Sequence, residues 1–339
     1  MVIPGLCGPL LDAPATGYLQ AALPALERLL SRGLAETQFA TDLEHTLAAY
    51  FQAADGEEAS LAVAPLTWLT DTGERAAGFI MRADPVHLRA DQACLRLFDC
   101  TTFDLDAEDA RDLVATFNDY YRRQGWQLHA PSPKRWYLTL DEAPEVTTMG
   151  PMELAGRDIS DGLPHGKAGA AWHAFLNEVQ MLFHEHPVNL ARERRGEPAI
   201  NSIWPWGGGY LPGQITTTLS RVISDHPLLR GLARLGDVPC RQVPEHATDL
   251  MVNSPGGLQL VWLDRLERPW RYGEVENWSE GIRQLEADWF KPLLGLLLEG
   301  RIDRLDLYPV DAKRYLITRR RLRRFWKPER SLAWHCKHV

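Results

Sequence analysis

The densest set of chemically capable side chains lies in Arg82-Ala83-Asp84-Pro85-Val86-His87-Leu88-Arg89-Ala90-Asp91. In an extended or turning segment Asp84 can orient the His87 imidazole, the pairing that a general base needs. The same charges, with Arg82 and Arg89, can instead form a buried ion network that holds a module together. A second polar run begins at His184. His184 and His186 are two residues apart at a helix end, so they point to different sides; a spacing of four would suit a metal better. His186-Pro187-Val188-Asn189 reads as a rigid exit turn in which the Asn189 amide bonds nearby backbone. Arg192, Arg194 and Arg195 follow, and guanidinium forks suit carboxylate or phosphate; solvated surface charge or an interdomain ion pair is the other reading. Asn201 opens a strand-like stretch that ends in Gly207-Gly208-Gly209. Bare amides there can approach an anion, but no Lys-Ser/Thr follows as in a P-loop, and a tight turn is the other reading. Last, Arg319–Arg324 with Phe325, Trp326 and Lys327 is a basic, aromatic run. It suits RNA, an acidic partner or an anionic membrane, or is the solvated face of a terminal helix.

These groups need a frame. Val2–Leu6 reads as a short strand stopped by Pro4-Gly5. Leu19–Arg32 and Asp42–Ala53 carry apolar residues at helical spacing, and Ala59–Leu69 fits either a strand or a short helix. From Gly78 the texture changes. Phe79–Met81, Leu95–Phe98, Trp126–His129 and Arg135–Leu140 read as strands around a helix at Asp106–Gln124, acidic at its start as the helix dipole favours. Residues 141–168, rich in Pro, Gly and Asp, read as a connector. Trp172 opens a long amphipathic helix that runs into His186. Asp249–Asn253, Leu258–Leu263, Arg304–Tyr308 and Arg314–Thr318 read as strands, and Ser279–Leu298 as a long helix that Pro292 kinks or restarts. The tail from Pro328 reads as loose. Strands alternating with helices at both ends predict a mostly parallel α/β sheet. It is interrupted by a smaller α+β module over residues 78–190, so that 1–77 and 191–339 form the parent domain.

With 339 residues, 45% hydrophobic and 24% charged, the chain can bury a large core. Its net charge of -8 argues against a general nucleic-acid binder. No apolar run is long enough to span a membrane, and the N-terminus lacks a signal-peptide pattern. The five cysteines show no paired spacing, which points to reduced thiols and a cytoplasmic protein.

The run His186, Pro187, Val188, Asn189, Arg192, Gly196, Asn201 and Gly207 to Gly209 resembles the matching stretch of archaeal-type cofactor-independent phosphoglycerate mutases. Those enzymes belong to the alkaline-phosphatase-like superfamily. Arg82–Asp91 and Leu176–Asn189 are more similar still to a bacterial group, the RpfE-type regulatory proteins. The resemblance implies an alkaline-phosphatase-like sheet, flanked by helices and carrying an inserted domain. It also implies two divalent metals, held by Asp and His at several strand ends, together with a nucleophilic Ser or Thr.

The chain departs from that pattern. Strand one ends in Ile3-Pro4-Gly5, with no carboxylate before Asp12. Leu263–Gly273 and Leu305–Asp311, which correspond to later ligand loops, contain no His. Two-ion phosphoryl transfer needs several carboxylates and imidazoles to hold its metals. The expectation is therefore a non-catalytic, mutase-like protein with a regulatory role, without a metal cofactor. It would bind an anionic small molecule or a protein partner in the cleft between its domains, using Arg82, Asp84, His87, Arg89, His186, Asn189, Arg192, Asn201, Gly207 and Gly208. The alternative is a Mn- or Zn-dependent mutase or phosphatase with relocated ligands, drawn from His246, Asp264, Glu267, Asp303 and Asp306.

Overall fold

A computed structural model describes residues 1–8, 22–37, 47, 50–53, 62–91, 94–154, 158–310 and 313–337. The expected helix Asp42–Ala53, and the carboxylates Asp12 and Asp311, lie wholly or mostly outside them. The chain forms two compact units: Met1–Glu58 with Gln214–Val339, and Ala59–Gly213. The expected module boundaries at 78 and 190 thus move outward. The reason is pairing: strand Ser202–Gly209 lies antiparallel to strand Ile80–Asp91, and helix Val63–Thr72 packs on both.

The first unit is organised by its N-terminal residues. The Val2 amide donates to Val261 O at 2.8 Å, and Leu263 N donates to Val2 O at 3.0 Å. On the other side Ile3 N donates to Tyr308 O at 2.8 Å, and Tyr308 N to Met1 O at 2.9 Å. Both pairings are parallel. They join strands Cys240–Arg241, Leu219–Ile223 and Leu258–Val261 to strands Arg304–Leu307, Lys313–Thr318 and Leu34–Thr37. The first three of these strands, residues 1–3 and Arg304–Leu307 run parallel; Lys313–Thr318 runs against them, between Arg304–Leu307 and the edge strand Leu34–Thr37. Val2, Ile3, Leu260, Trp262 and Leu307 are buried, as strands covered on both faces require.

Several expected elements change form here. Asp249–Asn253 is not a strand; Ala247–Met251 is a 3-10 turn. The long helix starts earlier, at Val275, and is divided. Val275–Leu285 passes through a π-helical turn, Glu286–Phe290, into Lys291–Glu299. Pro292, which has no amide hydrogen to donate, follows that turn directly. Within the turn, Glu286 accepts from the amides of Ala25 and Leu26 at 2.6 and 3.0 Å, capping helix Pro24–Arg32.

The C-terminal segment is not loose. Helix Leu332–Lys337 is tied down by a Cys7–Cys336 disulfide. Ser31 Oγ lies 3.0 Å from His335 Nε2, and Lys313 Nζ donates to His335 O at 2.9 Å. The expectation of five reduced thiols is thus corrected: Cys94, Cys100 and Cys240 are free, and Cys7 and Cys336 are paired. Spacing along the chain gave no hint of this bridge, because its partners are 329 residues apart.

The second unit is an antiparallel α+β module. One strand, Ile80–Asp91, takes in both the expected strand at Phe79–Met81 and the charged segment that read as extended or turning. It pairs with Ser202–Gly209, Arg135–Thr139 and Cys94–Phe98, and Gln127–Ser132 extends the sheet. Helices Ala107–Tyr120 and Gly169–His184 cover it. Asp106 caps the first of these through the amides of Glu108 and Asp109. A stacked aromatic group, Tyr121, Trp126 and Trp172 with Phe175 edge-on, fills the space beneath. No described helix is long and apolar enough to cross a membrane.

Candidate functional site

Arg82 and Asp84 lie two apart on one strand and are 5% and 2% exposed. Arg82 Nε and Nη2 donate to Asp84 Oδ1 at 3.0 and 2.6 Å. Trp206 Nε1 donates to Oδ2 at 2.8 Å, and the Trp136 amide donates to Oδ1 at 3.3 Å. The guanidinium sits 5.3 Å from the ring centroids of both Tyr137 and Trp206. Burial pushes the Asp84 carboxyl upward, against the pull of Arg82. A neutral Asp84 would leave a permanent guanidinium charge alone in the core, so the pair is ionised at neutral pH. Next to it, Asp71 accepts from Tyr137 Oη at 2.7 Å and takes a two-pronged ion pair from Arg135. The cluster is thus an enclosed network. His87 is outside it: its Nδ1 lies 2.8 Å from Ala199 O. Arg89 is exposed, its guanidinium over the Phe98 ring.

His186 is not part of an exit turn but the N-cap of helix Pro187–Arg194. The Val188 amide donates to its Nδ1 at 3.2 Å, which places the proton on Nε2, 2.9 Å from Thr116 Oγ1. Asn189 is fully buried. Its amide donates to Phe183 O and Ile200 O at 2.8 and 2.9 Å, and its oxygen accepts from Ile200 N at 2.7 Å. Arg192 donates to Pro198 O and Asp104 O at 2.9 and 2.8 Å. Asn201 mimics a strand neighbour, exchanging two 2.8 Å bonds with the Leu88 backbone.

The glycine triplet is inside its strand, not in a turn. A Cβ on Gly207 would stand 2.9 Å from Val63 Cβ, one on Gly208 2.8 Å from Phe79, and one on Gly209 2.4 Å from Ala62 Cβ. These glycines permit close packing of helix Val63–Thr72 and Phe79. Of the ten expected ligand-binding residues, then, Arg82 and Asp84 pair with each other. His186, Asn189, Arg192 and Asn201 fasten backbone, and Gly207 and Gly208 admit neighbours.

In the first unit, the carboxyl ends of the parallel strands are where ligands bind in open α/β sheets. At the end of strand one, Gly5 has φ +76, and a Cβ there would meet Leu266 O at 2.7 Å. Fully buried Trp278 donates from Nε1 to Gly5 O at 2.7 Å, and a Cβ on Gly8 would strike its ring. Nearby strand ends bring Asp225 and His226 after Ile223, and Asp264 after Val261. Burial, reinforced by the charge of Asp225, pushes the Asp264 carboxyl up.

The remaining relocated-ligand candidates point elsewhere. His246 Nδ1 lies 3.4 Å from Asp288, and Glu267 lies 3.8 Å from Arg271. Asp306 is held below the usual carboxylate range; burial opposes this, but Arg304 and Arg314 dominate. Among the described residues, no three His, Cys, Asp or Glu side chains are grouped to hold a metal ion. A two-metal centre does not fit the described strand ends.

Asp303 and Asp306 line a cavity of about 580 Å³ at the opposite, amino ends of these strands. Its wall includes the first residues of three strands, Leu219, Leu258 and Arg304. Arg301, Arg304 and Arg314 face Asp303 and Asp306 there, three guanidiniums against two carboxylates. Asp306 takes two bonds from Arg304, at 2.6 and 2.7 Å, and one from Arg314 at 2.6 Å. Ser254, Gln259 and Tyr50 add polar groups, and Leu250, Leu260, Leu293 and Ile302 an apolar floor. These arginines were not singled out in sequence. The signal available was the Arg-x-Asp alternation of Arg304 and Asp306, which puts both on one strand face.

No protein-family model matches the chain. Over 239 residues it is 25% identical to a 2,3-bisphosphoglycerate-independent phosphoglycerate mutase of Methanosarcina acetivorans, covering 64% of this chain and 60% of that protein. Over 125 residues it is 35% identical to the enzyme of the same name from Methanothrix thermoacetophila, covering 34% and 32%. The chain thus spans about 60% or less of these relatives' length. Solved structures align with it as well, among them the following two. A cofactor-independent phosphoglycerate mutase from Thermoplasma acidophilum has a TM-score of 0.38 at 16% identity, over 93% of this chain and 88% of its own. The PH0037 protein from Pyrococcus horikoshii has a TM-score of 0.49 at 14% identity, over 94% and 86%. The sequence matches make this chain a distant relative of the 2,3-bisphosphoglycerate-independent phosphoglycerate mutases.

Proposed function

We propose that the chain is a non-catalytic, mutase-like protein that binds an anionic small molecule in the cavity of its first unit, in a regulatory role like that of the RpfE-type group it resembles. The observation that carries the non-catalytic part is the packing at the end of strand one. Where the mutase pattern calls for a metal-binding Asp-Gly, this chain has Pro4-Gly5 closed over by Trp278 and Leu266. Proline, which has no carboxylate, stands where that aspartate would, and the glycine after it is held by its positive φ and by the Leu266 backbone against it.

The ligand class follows from the cavity's charge and lining. Arg304 and Arg314 neutralise Asp306, while Arg301 makes no ion pair among the described residues. An anion with an apolar body fits one guanidinium to spare above a leucine-rich floor. The test is a thermal-shift series with 3-phosphoglycerate, inorganic phosphate and aromatic carboxylates, on the native protein and on Arg301→Ala. A ligand at about 100 times its Kd stabilises by about 2.7 kcal/mol. Stabilisation by at least one of these anions, lost in Arg301→Ala, supports the reading. No shift with any of them contradicts it.

A further inference from the structure

Phe325 is 81% exposed and Trp326 68% exposed, side by side. Residues 319–328 carry six cations, Arg319, Arg320, Arg321, Arg323, Arg324 and Lys327, and no carboxylate. The segment is held in place. Leu322 is fully buried, and its carbonyl accepts from Arg32 Nη1 at 2.7 Å. On the far side the Arg330 amide donates to Ser31 Oγ at 2.8 Å, and Arg32 pairs with Glu329 at 2.7 Å. Among the described residues, Arg320, Arg321, Arg323 and Arg324 form no ion pair, although the chain as a whole carries a charge of -8. Two large aromatics presented on an anchored, uncompensated basic turn are not explained by packing.

We propose that the Phe325–Trp326 turn is a peripheral docking point for an anionic phospholipid surface. The rings pack edge to face, with centroids 5.3 Å apart and planes at 83°. That makes one compact apolar wedge, not two separate platforms on which successive bases of a single strand would stack. Aromatic side chains settle at the depth of lipid headgroups, and a basic collar meets the negative surface potential. The turn is already ordered, so little conformational freedom is lost on docking.

The test is co-sedimentation of the whole chain with vesicles of phosphatidylcholine alone, and with about one-third phosphatidylglycerol, a charge density that attracts polybasic surfaces. Binding is expected to the anionic vesicles only. It should weaken as salt rises from about 0.1 M to about 1 M, which shortens the screening length from about 10 Å to about 3 Å. Phe325→Ser with Trp326→Ser should cut binding at least about tenfold, since it removes the inserted apolar surface. Arg323→Glu with Arg324→Glu should do the same, at about fivefold or more for each cation reversed. Both pairs are at the surface, and circular dichroism checks that they fold. Equal binding to neutral vesicles, no binding to either, or unchanged binding by both variants overturns the proposal. So does a single-stranded oligonucleotide that binds through the same residues while vesicles do not.

Discussion

The indole of Trp278 donates its hydrogen bond to the carbonyl of Gly5 at 2.7 Å, with the ring wholly buried. This contact closes the end of strand one, next to Pro4, with apolar material. Trp278→Ala should cost about 3–5 kcal/mol, the usual range for emptying a buried tryptophan site. Trp278→Phe keeps most of the ring but orphans the Gly5 carbonyl, and should cost about 1–3 kcal/mol. Urea denaturation of both variants checks the order. Wild-type stability in Trp278→Phe would mean that the hydrogen bond contributes nothing, and equal stability of the two variants would mean that the ring's packing does not contribute.

The Arg82–Asp84 pair makes a sharper prediction than its burial alone would. Asp84→Ala leaves a guanidinium charge uncompensated and should destabilise by about 3–5 kcal/mol. Arg82→Met combined with Asp84→Leu removes both charges and should be less destabilising than Asp84→Ala. A double-mutant cycle by chemical denaturation measures this coupling. Additive effects would show that the two side chains do not act as a pair.

His186 links the fold to pH. Burial lowers its pKa, against the pull of Asp112 and Asp109, and burial lowers that of His129 as well. A histidine depressed in the folded state is protonated first in the unfolded chain. Stability is therefore full above the unfolded value of about 6.5, and falls as pH drops from there toward the lowered folded pKa. His186→Asn retains a good N-cap acceptor and does not titrate. It should flatten part of the decline in urea midpoint between about pH 7 and about pH 5. An unchanged pH slope would exclude His186 as a contributor.

The Cys7–Cys336 bridge encloses most of the chain. Its removal by Cys336→Ala should lower stability by about 2–5 kcal/mol, mainly through the freedom returned to the unfolded chain. Non-reducing peptide mapping tests the pairing, and a Tm measured with and without reductant tests its effect. A Tm that does not respond to reductant while the bridge is intact in the map would contradict the stabilising role.

Much of the frame could be read from residue patterns. The parallel strands at Leu258 and Arg304 follow from apolar patterning, and the helix after Asp106 from its pattern and its acidic first turn. What could not be read was partnership. Pro85 and its polar neighbours fitted an extended or a turning segment equally, and they lie in one strand. Pro85 faces Ile203 there, and Asp84 finds Trp206 and Trp136 on neighbouring strands. Three glycines looked like a turn because the side chains that crowd them, Val63, Phe79 and Ala62, are distant in sequence. The arginine-lined cavity was hidden for the same reason: its wall is assembled from the starts of several strands.

Turnover decides whether the protein is the non-catalytic binder proposed above. The measurement is conversion of 3-phosphoglycerate to 2-phosphoglycerate by the purified chain, with Mn²⁺ or Zn²⁺ added and then chelated, followed by phosphorus NMR. The account predicts no conversion above the metal-only control, together with anion binding that Arg301→Ala abolishes. Metal-dependent conversion that stops on chelation would contradict it.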